Sequence, residues 1–252
     1  MLTDTSLVLI SLILVPLLAG IIHSAIGFGF GIVAIAFLPI VIDAKTAHII
    51  ISVCSVPMLL SAAWAYRQGC NRTTLITASL SAIIALPFGL LFFESISLDL
   101  LVRLTGLGVF LMVLSSMKGN DTSEHKAKTN SLDLHCFSAG LIAGFLAGAV
   151  SIAGPPIAAF AIRQNWKINQ YKAFVTQFLL VIATCKAALL GYRDHIDPEI
   201  ALEIVIASSL SMLGVWIGQK VSKNIPTEKL KRLVAAMLIA VATLMLIRGN
   251  PG

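Results

Sequence analysis

The chain has 252 residues, 58% of them hydrophobic and 12% charged, with a mean hydropathy of +0.94. That balance excludes a water-soluble domain of this size and makes lipid the solvent for most of its surface. The net charge of +6 is not a nucleic-acid footprint, because Lys and Arg fall in short connections between apolar runs, where they act as topology signals.

The first apolar stretch runs over 7–42 and holds a single ionisable side chain, His23. Only Asp4 among charged residues precedes it, so an ordinary cleaved signal peptide is not expected. Further stretches follow at 46–66, 73–93 and 98–117, then at 134–162, 170–190, 199–219 and 229–247. About 20 helical residues span a hydrocarbon core of roughly 30 Å, and none of these runs alternates as a barrel strand would. An all-α integral membrane protein is therefore expected. Between the fourth and fifth stretches, Lys118 to Asp133 is polar and free of aromatics, which divides the chain into 1–117, a linker at 118–133, and 134–252. Cys54, Cys70, Cys136 and Cys185 form no CxxC, and there is no Walker lysine loop or HExxH. No disulfide, metal or cofactor is expected.

The two parts resemble each other. AGIIHSAIGFGFG (Ala19–Gly31) lies over AGFLAGAVSIAGP (Ala143–Pro155) at an offset of 124. Later, an offset of 129 pairs Gly89 with Gly218, Asp99 with Glu228 and Arg103 with Arg232. The first stretch of each half carries a helix-breaking centre, Gly27, Gly29 and Gly31 in one and Gly154, Pro155 and Pro156 in the other. Non-helical backbone at membrane depth must face protein or a polar cavity, so these breaks are the binding-site candidates.

Counting Lys and Arg tests how the broken stretches run. If all eight stretches cross, the connections show no useful bias between sides. If the first stretch of each half returns to its own side, only Lys45, Arg103, Arg193 and Arg248 stand against the other basic residues of the connections. That arrangement gives two inverted four-segment repeats, the first segment of each broken or re-entrant, with the linker cytoplasmic and both termini outside, in a cell membrane.

The residues GFGFGIVAIAFLP after His23, the paired SIAGPPIAAFAI, and GVWIGQKVSKNIPTEKLKRL together resemble the TauE/SafE family of sulfite exporters and sulfonate-uptake permeases. Gly27, Gly29, Gly31, Gly154, Pro155, Pro156, Gly214 and Gly218 occupy the family's motif positions, while Phe30, Ser151 and Ala153 stand where glycines are usual. The resemblance implies an inner-membrane transporter of sulfite, an organosulfonate or a related organic anion.

Amides at the starts of half-helices bind anions without a charged side chain. On this basis Gly29, Phe30 and Gly31 form one candidate cluster, and Ala153 and Gly154 the other. Pro155 and Pro156 shape the second break, Gly27 the first, and Ser24, Ser151, Thr176 and Gln177 add polar side chains. The alternative is that these glycines only let helices approach closely. His23 is a candidate coupling group or a packed core histidine, and Lys186 either attracts an anion into the pathway or, as the favoured reading, snorkels to the interface. The partners expected are a small anionic solute and the bilayer, with a homo-oligomer open. Rival functions are a channel-like anion pore and, with less support, an intramembrane enzyme in which His23 meets Cys54 or Ser24.

Overall fold

The computed structural model describes residues 2–67, 69–95, 129–164, 166–193 and 198–222, with Lys229, Ala236, Ile239, Ala240 and Thr243. Among them every regular element is helical: α1 (Leu2–Ile26), α2 (Phe30–Phe37), α3 (Ala44–Ala65), α4 (Arg72–Ser95), α5 (Thr129–Val150), α6 (Gly154–Ile162), α7 (Ile168–Tyr192) and α8 (Ala201–Ser222). Short 3-10 turns lie at Leu38–Ile40 and Pro198–Ile200. Segments Leu7–Ile26, Lys45–Ala65, Arg72–Phe93, Ile168–Tyr192 and Pro198–Ser222 are long and apolar enough to cross a bilayer, and α5 contributes a shorter apolar run from Leu134. A chain with this little polar surface closes its backbone hydrogen bonds within each segment, which is why helices form. The stretches expected at 98–117 and 229–247, and the linker up to residue 128, lie outside the described residues. α5 begins at Thr129, inside the run assigned to the linker.

Both first stretches break at equivalent places. α1 ends at Ile26 and α2 starts at Phe30, with Gly27 at φ 99° and Gly29 at φ 115°. These are left-handed angles that glycine adopts without steric cost. The second break spans Ser151 to Ala153, and Ser151 takes φ 59° with a side chain attached. The expectation that Gly31, Gly154, Pro155 and Pro156 form the interruptions is corrected here: Gly31 lies inside α2, and Gly-Pro-Pro is the first turn of α6. Proline suits that turn because the amide it lacks would have had no intrahelical acceptor.

The most extensive packing joins α1 to α8 and α5 to α4. Missing side chains set the spacing. A Cβ on Gly20 would strike the Ser211 carbonyl, and one on Gly144 the Ala82 carbonyl. Likewise Gly218 lies against the Ile21 carbonyl and Gly89 against that of Phe145. At the offsets of 124 and 129, each member of the first interface has its counterpart in the second. In lipid, where apolar burial gives helices no reason to associate, such close backbone approach is the main source of attraction.

The middle of the bundle belongs to α3, 61% of whose apolar window is buried, while α8 at 22% is peripheral. Leu7, Ile10 and Leu14 of α1, Leu80, Ile84 and Phe88 of α4, and Trp216 of α8 are exposed and form the face offered to lipid. The two breaks touch at the centre. A Cβ on Gly31 would meet the Ser151 carbonyl, and one on Gly154 would lie 2.9 Å from the Phe28 side chain.

Candidate functional site

A cavity of about 70 Å³ lies where the breaks meet. Gly29, Phe30 and Gly31 line it from the start of α2, and Ser151, Ile152, Ala153 and Gly154 from the second break and the start of α6. Its remaining wall comes from His23 and Ala147, from Ile51, Ser52, Ser55, Met58 and Leu59 of α3, and from Leu179, Ile182, Ala183 and Lys186 of α7, with Ile32 of α2. None of these residues is acidic. The first-turn amides of a helix have no intrahelical acceptor, and its dipole places partial positive charge there. Two short helices, α2 and α6, present such ends to one small space.

Three polar side chains of the wall, Ser52, Ser151 and Lys186, form a connected group centred on Ser151, joined from outside the wall by His48. Lys186 Nζ donates to Ser151 Oγ at 2.6 Å. His48 Nδ1 lies 3.1 Å from the same oxygen, and Ser52 Oγ lies 3.3 Å from it. Ser52 also donates to the His48 carbonyl at 2.6 Å, and the His48 ring stacks on Phe93 with centroids 4.1 Å apart. His48 Nε2 has no hydrogen-bond partner among the described residues. His23 is 1% exposed, and both of its ring nitrogens lack a partner there too.

A second cluster fastens the end of α1. Lys172 Nζ and Tyr66 Oη both donate to the Ser24 carbonyl, each at 3.2 Å, and the Lys172 amine sits 5.2 Å from the centre of the Tyr66 ring. Because α1 stops at Ile26, that carbonyl is one of the four its helix cannot satisfy, and a cationic donor at a helix C-terminus also complements the dipole.

Of the residues expected at the site, His23, Gly29, Phe30, Gly31, Ser151, Ala153 and Gly154 line the cavity. Ser24, Gly27, Pro155, Pro156, Thr176 and Gln177 do not. Gly27 instead packs beside Tyr171 and Lys172, while Pro155 and Pro156 are buried in the first turn of α6. The Ser24 and Thr176 hydroxyls are buried away from it. The expectation that Lys186 snorkels is overturned, for the residue is 3% exposed and its amine turns inward to Ser151. Lys172, counted as a basic residue of a connection, is 4% exposed and caps α1. His23, Ser24 and Cys54 do not converge in the cavity, and the Cys54 thiol donates to the Ile51 carbonyl at 3.6 Å.

His48, Ser52, Tyr66 and Lys172 were missed as site residues. A signal existed for two of them: the offset of 124 that aligns the breaks also places His48 over Lys172. Each reaches a break from the start of its helix, His48 to Ser151 and Lys172 to Ser24.

No solved structure matches the chain. The chain is 28% identical over 107 residues to a protein of Comamonas testosteroni named "Probable inner membrane transporter protein TsaS". The alignment spans 42% of this chain and 44% of that relative, so less than half of either. The profile of the family described as "Sulfite exporter TauE/SafE" matches residues 12–245, nearly the whole sequence. With both breaks and the packing around them inside that range, the chain belongs to the sulfite exporter TauE/SafE family.

Proposed function

We propose that this protein is a secondary permease that carries a small anion, sulfite, an organosulfonate or a related organic anion, across the inner membrane. The observation that carries the proposal is the convergence of the α2 and α6 N-termini on one cavity with no acidic residue among the described residues of its wall. Two helix ends stabilise negative charge there, and the apolar side chains of Ile32, Ile51, Leu179 and Ile182 in the wall lower the local dielectric, which strengthens that effect. The cavity's size favours an anion of a few heavy atoms. Family membership and the relative's name support transport.

The architecture that serves this function is a pair of inverted repeats, 1–117 and 134–252, joined by the linker at 118–133. The exchanged contacts at Gly20, Gly144, Gly89 and Gly218 support it, as does the distribution of Lys and Arg, which sets the linker in the cytoplasm and the termini outside. Rocking of one repeat against the other about the crossed breaks would open the cavity to each side in turn. Accessibility of single cysteines placed at 120–126 checks the orientation, and labelling from outside intact cells contradicts it.

Flux measurements in proteoliposomes test the function. Labelled sulfite, sulfate, a simple sulfonate and a carboxylate are offered in turn, with and without unlabelled anion on the opposite side. The expected result is saturable, trans-stimulated movement of at least one. Flux that neither saturates nor responds to trans anion indicates the pore instead, and no flux of any anion refutes the proposal.

A further inference from the structure

Lys186 stands in a setting that a lysine rarely occupies. Its side chain is buried within a membrane-spanning helix, and among the described residues its amine has one hydrogen bond, to the neutral hydroxyl of Ser151. An ammonium offers three donors, so two remain unspent. Charge in such a place is expensive unless an opposite charge lies beside it, and intramembrane basic residues that are retained mark ion or substrate pathways. Among the described residues no acidic side chain lines the cavity to supply that charge. In the wall of the same cavity His23 is equally enclosed, with neither ring nitrogen bonded among the described residues. A buried donor with nothing to donate to costs the desolvation of that group. Both deficits are met by one species, an anion held between them.

We propose that Lys186 is the counter-charge of the carried anion and that the His23 ring is its second side-chain donor, with Ser151 holding the lysine amine in position. This rests on the permease function proposed above and names the ligands of its site. His48 orients the Ser151 hydroxyl from behind, through the 3.1 Å contact. The site then accepts oxygen-bearing anions, sulfite-like, sulfonate or carboxylate, whose charge is concentrated enough to pair with one ammonium. A neutral isostere of the same shape leaves the lysine unpaired and is rejected.

Thermal unfolding of the purified protein, titrated with sulfite, methanesulfonate, acetate or the neutral dimethyl sulfone, tests this without relying on transport. At least one anion is expected to raise the melting temperature saturably, and the sulfone is not. Lys186→Met is expected to abolish the shift while unfolding, without anion, no earlier than the wild type, since an unpaired buried charge has been removed. His23→Ala is expected to weaken anion binding about tenfold. Lys186→Arg keeps the charge and retains binding, whereas Lys186→Gln keeps a polar stem and loses it. That contrast decides the matter even if Lys186→Met fails to fold. Wild-type affinity in Lys186→Gln overturns the proposal and leaves the permease standing, if flux persists. An anion-dependent shift that needs Lys186, in a protein that moves no anion in vesicles, keeps the site and refutes the transport function. The absence of any shift in the wild type overturns the site.

Discussion

Ser151 combines two burdens in one residue. Its φ of 59° is a left-handed angle, costing a side-chain-bearing residue about 1 kcal/mol or more, and its hydroxyl is the point at which Lys186, His48 and Ser52 meet. Glycine, usual in the family at this position, would remove the strain and the hydroxyl together. Ser151→Gly is therefore expected to unfold later than Ser151→Ala, by about 1 kcal/mol, while both lose anion flux relative to the wild type. Thermal unfolding of the pair checks the first part, and an alanine variant more stable than the glycine one contradicts it. At the N-terminal end of α3, Asp43 accepts from the Thr46 and Lys45 amides at 3.0 Å each. The Thr46 amide, with that of Lys45, holds the Asp43 carboxyl below its ordinary range. Its contribution is thus present at neutral pH and fades as pH falls through that depressed value. Asp43→Ala is expected to cost about 1 kcal/mol, and a denaturation series should show the difference from wild type shrinking in strong acid. The glycines of the first break were legible in the sequence because their conformational effect is local. What Lys186 and His48 touch was not, since their partners lie 35 and 103 residues away.

At the scale of elements, the helices follow from apolar length, and their interruptions from backbone chemistry. Gly-Pro-Pro marked the second break but not its exact place, because proline opens a helix as readily as it ends one. Which helices pair could not be read from hydropathy, as every face turned to lipid or to a neighbour is equally apolar. It is small residues that decide it. Gly20 and Gly144 occupy equivalent points of the α1–α8 and α5–α4 interfaces, each against a backbone carbonyl. Gly20→Val and Gly144→Val are each expected to cost about 2 kcal/mol or more, since backbone rather than a flexible side chain must yield. Size-exclusion profiles and unfolding temperatures measure this. Normal folding of either variant contradicts the packing described.

For the molecule as a whole, composition alone was enough to establish a helical membrane protein, because 58% hydrophobic residues cannot be buried inside 252. The equivalent placing of the two breaks was legible through the offset of 124, and their meeting through the rule that irregular backbone avoids lipid. What the sequence could not convey is that α7 brings a second cation, Lys186, to the far side of the same crossing that Lys172 fastens. These two lysines lie fourteen residues apart on one helix, a separation of about 21 Å at 1.5 Å per residue. One therefore serves the end of α1 and the other the cavity. The central claim is that an anion crosses through this cavity, and filling it is the most direct test. Ala183 lines the space from α7 and is not fully buried, so Ala183→Leu enlarges a helical side chain towards the cavity without touching either break. Anion flux into proteoliposomes is predicted to saturate in the wild type and to fall about tenfold or more in Ala183→Leu, a loss of about 1.4 kcal/mol in affinity. Wild-type flux in a correctly folded Ala183→Leu protein would place the pathway elsewhere and contradict the account.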